Sequence, residues 1–200
     1  MEAAASREAR RRDEILDAAV RVFSRKGYQA AGVADIAADL GIGHGTFYRY
    51  FESKHDVAAQ VGDRVVERIA AALGDEDPDA SETVEDYRAQ VERICSAMFD
   101  LIDEQPELMR FFHRESLVVD PDRLAHAMDG FAALAAPFLE NGLRKGFLRE
   151  ALDVEITAQA LVGIISEGTR RALHAPQPAD VRERWISAGT ALMFEGITRR

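Results

Sequence analysis

Residues 33–54 hold two short helical segments around a tight glycine turn, and they constrain the fold more than any other part of the chain. The sequence of this segment is VADIAADLGIGHGTFYRYFESK. Its apolar residues recur at the spacing of one helix face, at Val33, Ile36, Ala37 and Leu40. Gly41 follows at once and suits the left-handed residue that ends a helix, and a second helix is predicted to begin after Gly43. The segment is therefore predicted to be a helix-turn-helix.

The second helix of this segment carries side chains that suit the surface of a nucleic acid. Phe47 and Phe51 are four residues apart and share one buried face. The other positions hold imidazole, hydroxyl and guanidinium groups instead of the Lys and Glu of an ordinary solvated helix: His44, Thr46, Tyr48, Arg49 and Tyr50. Such groups bind phosphates and base edges in a DNA major groove. The alternative is a structural turn and helix inside some other all-α protein.

Charge is distributed unevenly along the chain, although the net charge of −10 by itself disfavours DNA binding. Residues 1–55 carry nine Lys and Arg against eight Asp and Glu, a net charge of +1, and the rest of the chain carries −11. Acidic residues are thus kept away from the second short helix. The N-terminal arginines could form an arm that reaches the DNA backbone or minor groove, or the start of a solvated helix: Arg7, Arg10, Arg11 and Arg12.

The rest of the chain is predicted to be helical, since no run alternates with period two and no Asn-Gly hairpin signal occurs. Caps and breakers predict the helices outside 33–54 at about 6–26, 53–73, 81–105, 106–116, 120–145, 153–174 and 179–198. Ser81 and Asp153 are the predicted N-caps of the 81–105 and 153–174 helices. Pro137 lies inside the 120–145 helix and predicts a kink there.

The last two helices are apolar on more than one face, as in the run ALVGII at 160–165. A helix that is apolar all round must be covered on two sides, and a second copy of the same pair would supply a four-helix interface. Candidate residues for a homodimer interface are Leu161, Ile165, Trp185, Gly189, Leu192 and Met193, with Gly163, Gly168 and Ala188 permitting close approach. The alternative is that these residues are the ordinary core of a monomer.

Aromatic and aliphatic residues in the middle of the chain are candidates to line an apolar cavity, although each could equally be dry core. The candidates for this ligand pocket are Met98, Phe99, Phe111, Phe112, His113, Phe131, Leu134, Phe138, Ile164 and Glu167. His113 and Glu167 are the candidate polar anchors, and ion pairs on a solvated face are the alternative. With so few polar residues, the set favours a largely hydrophobic effector, such as a lipid-like or aromatic molecule.

Several classes of protein are disfavoured. No apolar run approaches the roughly 20 residues that span a membrane, and the basic start lacks the apolar stretch of a secretory signal. Cys95 is the only cysteine, so an internal disulfide is impossible and a cytoplasmic protein is expected. His113, Glu115 and His126 match no metal-ligand spacing, so no metal or cofactor is expected. No nucleophile and base pair, G-x-S-x-G motif or phosphate loop indicates an enzyme.

The first 55 or so residues resemble the DNA-binding module of the tetracycline-repressor (TetR) family of bacterial regulators. The resemblance begins with the helix from Ile15 to Phe23 and the pair Gly27-Tyr28. It continues through the frame Ile36, Ala37, Gly41, Gly45, Thr46, Tyr48, Tyr50, Phe51, Ser53 and Lys54. The chain departs from the family at Gly32, Ala34 and Gly43, where polar or basic residues are usual. Recognition is therefore expected to depend less on phosphate contacts from the helix that begins at Val33.

The resemblance implies an all-α protein of about nine helices that acts as a homodimer on a near-palindromic DNA operator. Residues 1–53 would be a three-helix helix-turn-helix domain with a basic arm, and residues 54–200 a larger helical effector-binding and dimerisation domain. The DNA contacts carried over by position are His44, Gly45, Thr46, Tyr48, Arg49, Tyr50 and Lys54, with Lys54 on a phosphate. The implied function is a ligand-responsive repressor that leaves its operator when a small effector binds. A regulator without an effector and an activator are the alternatives.

Overall fold

The computed structural model describes residues 2–196, and within that range the chain forms nine α-helices. They are α1 (Glu2–Lys26), α2 (Val33–Leu40), α3 (His44–Tyr48), α4 (Lys54–Gly74), α5 (Val84–Glu104), α6 (Pro106–Val119), α7 (Pro121–Arg144), α8 (Val154–Ala172) and α9 (Pro178–Gly196). The all-α prediction is confirmed. Because α1 already begins at Glu2, the basic N-terminal residues lie on this helix.

The helices form two compact units. The N-terminal unit comprises Met1–Val66 and Glu107–Pro121, and the C-terminal unit comprises Glu67–Pro106 and Asp122–Arg200. The N-terminal unit thus contains α1 to α3, the first half of α4 and nearly all of α6, a helix that sequence reasoning assigned to the ligand pocket.

The core of the N-terminal unit follows the apolar periodicity of the sequence. The predicted stripe of α1 is buried, and Ile15, Ala18, Ala19 and Phe23 have no exposed surface at all. α2 contributes Ile36 and Ala37, and Phe47 and Phe51 follow with ring centroids 5.7 Å apart. From α6, the ring of Phe111 lies 5.6 Å from that of Phe23. Each large side chain buried here contributes about 1.5–3 kcal/mol to folding.

The C-terminal unit has two apolar clusters. The larger one surrounds Tyr87 of α5 and includes Phe138, Leu139, Leu148, Met193 and Phe194. Burial raises the pKa of Tyr87 well above its ordinary value. The second cluster joins Phe99 and Ile102 of α5 to Ala172, with Trp185 packed against it. Both clusters draw on α5 and on one or both of the last two helices, which therefore bury part of their apolar surface within their own subunit.

The helix ends show where local signals were interpreted correctly and where they were not. Gly27, Gly41 and Gly146 follow α1, α2 and α7 with φ between 67° and 77°, the left-handed region that favours glycine. Asp153 caps α8 as predicted, by accepting a hydrogen bond from the Ile156 N–H. The N-cap of α5, however, is Thr83 and not Ser81.

Thr83 wins the cap position because it forms a reciprocal pair with Asp86. The Thr83 hydroxyl accepts from the Asp86 N–H, and the Asp86 carboxylate accepts from the Thr83 N–H. Ser81 is buried instead, and its hydroxyl donates to Gln90. Further along, α7 continues through Pro137 to Arg144, so the proline is accommodated inside one helix.

Candidate nucleic-acid interface

The turn between α2 and α3 is set by backbone hydrogen bonds around Gly41. The Gly41 N–H donates to the Ala38 carbonyl at 3.2 Å and the Ile42 N–H donates to the Ala37 carbonyl at 2.9 Å. With φ of 67° at Gly41, this is the paired pattern that ends many helices at a left-handed glycine. The Thr46 N–H then bonds the Gly43 carbonyl at 2.9 Å and starts α3. The predicted helix-turn-helix is thus present in the backbone.

α3 places one aromatic ring in the core and turns its other side chains outward. Phe47 is fully buried, whereas Tyr48 exposes 56% of its surface. His44, Gly45 and Arg49 are exposed, and Thr46 and Tyr50 are half-buried. An exposed Tyr flanked by His and Arg presents hydroxyl, imidazole and guanidinium donors on one short helix. These groups match the phosphate and base-edge acceptors of DNA.

Arg49 and Tyr50 form a pair at the end of α3. The Arg49 Nη2 donates to the Tyr50 hydroxyl at 2.9 Å, and the guanidinium carbon lies 5.1 Å from the centroid of the Tyr50 ring. This hydrogen bond raises the pKa of Arg49 further above its ordinary value, so the guanidinium stays charged. The pair presents one oriented cation instead of two independent side chains.

Arg12 of α1 stabilises the end of α3, a role that sequence reasoning missed. Its Nη1 donates to the Tyr50 carbonyl at 3.1 Å, its Nη2 donates to Gln60, and its guanidinium lies 4.8 Å from the Phe51 ring centroid. The last carbonyls of a helix have no partner within the helix. Arg12 satisfies one carbonyl just beyond α3, so it acts inside the protein. The sequence carries no signal for it, since the contact joins residues 38 apart.

Its neighbours Arg10 and Arg11 pair with Glu14 on the same helix, with N–O distances of 3.4 and 2.8 Å. Exposed pairs at this spacing contribute only a few tenths of a kcal/mol.

Asp35 partly replaces the cap that Gly32 cannot provide at the start of α2. Its carboxylate accepts the Gly32 N–H at 2.9 Å and also pairs with Lys26. The hydrogen bond from Lys26 first, and then that from Gly32, hold the pKa of Asp35 below its usual range. An acidic residue three positions after the N-cap is the second half of a capping box. The spacing Gly32-x-x-Asp35 was the available signal for this contact.

The other end of α2 is tied to α1 through Asp39. The Arg21 Nε and Nη2 donate to one carboxylate oxygen at 3.0 and 2.8 Å, and Arg25 binds the other oxygen. The bond from Arg25 is the largest influence on the pKa of Asp39 and lowers it below its ordinary value. Burial opposes this shift, and the bond from Arg21 adds to the lowering. Arg21 and Arg25 near the end of α1 therefore orient α2 and are engaged within the protein.

Lys54 lies at the start of α4, and its ammonium points into the protein. The Nζ donates to the carbonyls of Tyr28, Gln29 and Ala31 at 2.9, 3.4 and 3.0 Å, and it lies 4.4 Å from the Tyr28 ring centroid. A lysine ammonium has three N–H donors, and three carbonyls occupy them. The ammonium of Lys54 is therefore engaged with the α1–α2 loop, whereas the prediction placed it on a phosphate.

The predicted pocket residues do not form one group. Phe111, Phe112 and His113 belong to the N-terminal unit, and Phe111 is core beside Phe23. In the C-terminal unit Phe99 and Phe138 belong to different clusters, and Ile164 is half-buried. Leu134 exposes 42% of its surface and does not line a closed cavity. Met98 and Phe131 are buried, each exposing 5%, and remain candidates.

Glu167 is not an inward polar anchor. It pairs with Arg170 and Arg171 on its own helix, each with an N–O distance of 2.7 Å, and its side chain is 36% exposed. Hydrogen bonds from Arg170 and then from Arg171 lower the pKa of Glu167 to about 2. The predicted alternative, a solvated ion pair, is the arrangement that the structure has.

Of the residues predicted at a dimer interface, Met193 and Trp185 are turned toward their own subunit. Met193 exposes 4% of its surface and belongs to the Tyr87 cluster. The Trp185 indole donates to the Ile164 carbonyl at 2.8 Å and covers Gly168, where a Cβ would lie 2.3 Å from Trp185 Cδ1. The close approach at Gly168 is therefore within one chain.

The remaining interface candidates keep surface available. Leu192 exposes 60% of its area, and Gly163 and Ala188 are also exposed. Leu161, Ile165 and Gly189 are half-buried.

Three further observations concern other functions. Burial, and then the nearby Glu92, raise the pKa of the Cys95 thiol to about 11, so this cysteine is a poor nucleophile. Within residues 2–196 no helix is long and apolar enough to cross a membrane. Over the same part of the chain no three His, Cys, Asp or Glu side chains are grouped closely enough to hold a metal ion.

Comparison with known proteins agrees with the geometry of α2 and α3. The model of the family described as "Bacterial regulatory proteins, tetR family" matches residues 15–61, the segment that spans the second half of α1, all of α2 and α3 and the start of α4. The "Fatty acid metabolism regulator protein" of Bacillus subtilis is 27% identical over 157 residues, covering 77% of this chain and 79% of that protein.

Two other relatives extend this similarity along the chain. The "HTH-type transcriptional activator FasR" of Mycolicibacterium smegmatis is 28% identical over 170 residues, covering 85% of this chain and 75% of that protein. The solved structure of the transcriptional regulator FadR from Bacillus subtilis in complex with stearoyl-CoA superposes with a TM-score of 0.71 at 24% identity. That superposition covers 92% of this chain and 98% of the other, and it establishes a shared fold.

Proposed function

Because residues 15–61 match the model of the TetR family of bacterial regulatory proteins, we propose that the chain is a member of this family and a ligand-responsive repressor that leaves its DNA operator when a largely hydrophobic effector binds. DNA binding by a transcriptional regulator follows from the family. The sign of control, the effector and the residues that contact DNA are the proposed parts. The observation that carries the proposal is the α2–α3 turn with its exposed row of donors on α3.

Residues 1–53 are proposed to read DNA, with α3 in the major groove. His44, Gly45 and Thr46, at the start of α3, would lie near base edges. Tyr48, with 56% of its surface exposed, and the Arg49–Tyr50 pair would contact phosphates. Gly41 forms the turn before α3, and Arg12 binds the Tyr50 carbonyl just after α3. A reading helix of five residues needs such support, because isolated helices of this length are unstable in water.

Residues 54–200 are proposed to bind the effector and to form the homodimer. Exposed and half-buried residues of α8 and α9 would form a two-fold interface: Leu161, Gly163, Ile165, Ala188, Gly189 and Leu192. Small residues at Gly163, Ala188 and Gly189 permit close packing of helices. Two copies related by a two-fold axis would present two α3 helices to half-sites about 34–36 Å apart on a near-palindromic operator.

The effector is proposed to carry a long acyl chain. Met98 and Phe131 are buried apolar candidates in the C-terminal unit, whereas Leu134 is exposed and Glu167 is paired with Arg170 and Arg171. A fold shared with a regulator solved in complex with stearoyl-CoA supports this class of ligand. So does the similarity to a protein named as a fatty acid metabolism regulator.

The test is DNA binding by the purified protein, with an operator selected from a random-sequence duplex library. Tyr48→Ala and Arg49→Ala should each weaken binding by about tenfold or more, since hydrogen bonds to charged groups contribute about 1.5–3 kcal/mol. Arg68→Ala, which removes an exposed charge on α4, is the matched control and should bind like the parent. Equal affinities for all four proteins would show that α3 does not read DNA.

The effector is tested separately with stearoyl-CoA, with free coenzyme A as control. At 100 times its dissociation constant a real ligand stabilises the protein by about 2.7 kcal/mol, and it should release the selected operator. If stearoyl-CoA neither raises the melting temperature nor releases DNA, the acyl-chain proposal is wrong while DNA binding stands.

Activation is the second candidate, because the relative from Mycolicibacterium smegmatis is named as an activator. In vitro transcription from a promoter that carries the selected operator distinguishes the two. A repressor lowers the amount of transcript, whereas an activator raises it.

A further inference from the structure

The ammonium of Lys54 is bound by the backbone of the loop between α1 and α2. Three of the loop's carbonyls, those of Tyr28, Gln29 and Ala31, accept hydrogen bonds from Nζ, and the Tyr28 ring covers the same group at 4.4 Å. Tyr28 and Ala31 are buried, with 9% and 3% of their surface exposed. Lys54 itself is half-buried. The ammonium therefore sits inside a cup formed by one loop.

The loop spans residues 27–32 between two helices, so most of its backbone groups lie outside any helical ladder. A buried carbonyl without a hydrogen-bond partner destabilises the fold. On the other side of the loop, the Tyr28 N–H donates to the Glu115 carboxylate at 3.1 Å. The backbone of Tyr28 is thus bound from two helices. Lys54 of α4 donates to its carbonyl, and Glu115 of α6 accepts from its N–H.

The choice of lysine is informative in this chain. Of its 25 lysines and arginines only three are lysines, Lys26, Lys54 and Lys145. A phosphate contact can be made by Arg as well as by Lys, and often in bidentate form. A cup of three carbonyls around one point instead needs a compact cation with three donors, and the planar guanidinium does not have that shape. The chain keeps lysine at the position where the geometry requires it.

We propose that Lys54 is a positioning residue that does not contact DNA. Its ammonium holds the α1–α2 loop against the start of α4 and thereby fixes the position of α2 and α3. The consequence for α2 is direct, because its N-cap, Gly32, follows Ala31 in the chain. The structural part of this proposal is independent of the proposed function. Only its consequence for operator binding rests on that function.

The first experiment uses the free, full-length protein and the variants Lys54→Met and Lys54→Arg. Lys26→Met is the matched control, since Lys26 is in the same unit and its ammonium pairs with Asp35 instead of the loop carbonyls. Both Lys54 variants should speed hydrogen exchange of the amides at 28–32 by about tenfold or more, and lower the melting temperature by at least about 4 °C. The parent should show one slowly exchanging lysine ammonium signal that Lys54→Met removes.

The proposal is overturned if Lys54→Arg exchanges and melts like the parent, or if Lys54→Met behaves no differently from Lys26→Met. If Lys54→Met does not fold, Lys54→Gln, which keeps two donors, replaces it. Exchange in Lys54→Gln should then be intermediate between the parent and Lys54→Arg, and exchange equal to the parent would count against the clamp.

The second experiment measures affinity for the selected operator against salt concentration. A lost phosphate contact reduces the slope of log affinity against log salt by about 0.9. With Lys54 as a positioning residue, Lys54→Met keeps the slope, binds the operator about tenfold more weakly, and binds random DNA like the parent. A slope reduced by about 0.9, with Lys54→Arg binding like the parent, would establish the phosphate contact instead. If the parent itself binds no DNA, the proposed function fails, while exchange and melting still decide the role of Lys54.

Discussion

Packing of Trp185 on Gly168 makes a sharp prediction about the pairing of α8 and α9. A Cβ at residue 168 would lie 2.3 Å from Trp185 Cδ1 and 2.4 Å from Nε1, far inside van der Waals contact. The indole is also anchored by its hydrogen bond to the Ile164 carbonyl at 2.8 Å. Gly168→Ala therefore forces Trp185 to move, and the hydrogen bond is strained or lost.

The magnitude follows from three effects. Overpacking costs about 1–3 kcal/mol, and loss of the indole hydrogen bond costs about 1 kcal/mol. Alanine in place of glycine inside a helix returns about 1 kcal/mol. The free energy of unfolding should therefore fall by about 1–3 kcal/mol.

Gly130→Ala is the matched control, because Gly130 is inside α7 and a Cβ there meets nothing within 4 Å. It should gain about 1 kcal/mol. Urea unfolding at a fixed protein concentration gives both values, and the fluorescence of Trp185, the single tryptophan, reports its displacement directly. If Gly168→Ala is as stable as Gly130→Ala and its emission is unchanged, the packing of Trp185 described above is wrong.

Three other substitutions test separate contacts. Arg12→Met should weaken operator binding, because Arg12 bonds the Tyr50 carbonyl, but it should leave the slope of log affinity against log salt unchanged. A slope reduced by about 0.9 would instead show that Arg12 contacts a phosphate. Asp39→Asn should destabilise the protein at neutral pH, measured by thermal melting. Since the pKa of Asp39 is lowered on folding, its contribution is present above its unfolded value of about 3.9 and is lost as pH falls below it, so parent and variant should converge in acid. Leu192→Ser should weaken dimers in analytical ultracentrifugation, whereas Met193→Ala should instead destabilise the fold by about 2–5 kcal/mol in urea unfolding; the reverse pattern would exchange their roles.

The architecture of the helix-turn-helix was predictable because its sequence signals are local. A left-handed glycine after α2, an apolar stripe at helical spacing on α1, and the pair Phe47 and Phe51 each depend on residues within a few positions. Most helix boundaries followed in the same way, from caps such as Asp153. The error at α5 was also local, since Thr83 and Asp86 form a capping box that outcompetes Ser81.

Partners that are distant in sequence were decided only by the tertiary structure. Whether Lys54 faces DNA or three carbonyls of a loop more than 20 residues away depends on how α4 meets α1 and α2. Adjacent residues Leu192 and Met193 look alike in sequence, yet one exposes 60% of its surface and the other 4%.

The sequence by itself determined that this chain is all-helical and carries a helix-turn-helix with DNA-compatible side chains, because backbone conformation follows from glycine, capping and periodicity within one or two turns. The tertiary structure decided which polar groups form hydrogen bonds and ion pairs within the protein. Arg12, Asp39 and Lys54 are all engaged in contacts between helices, and such contacts depend on distances that no local pattern specifies. The surface that we propose to meet DNA is therefore narrower than the sequence suggested, and it is concentrated on α3.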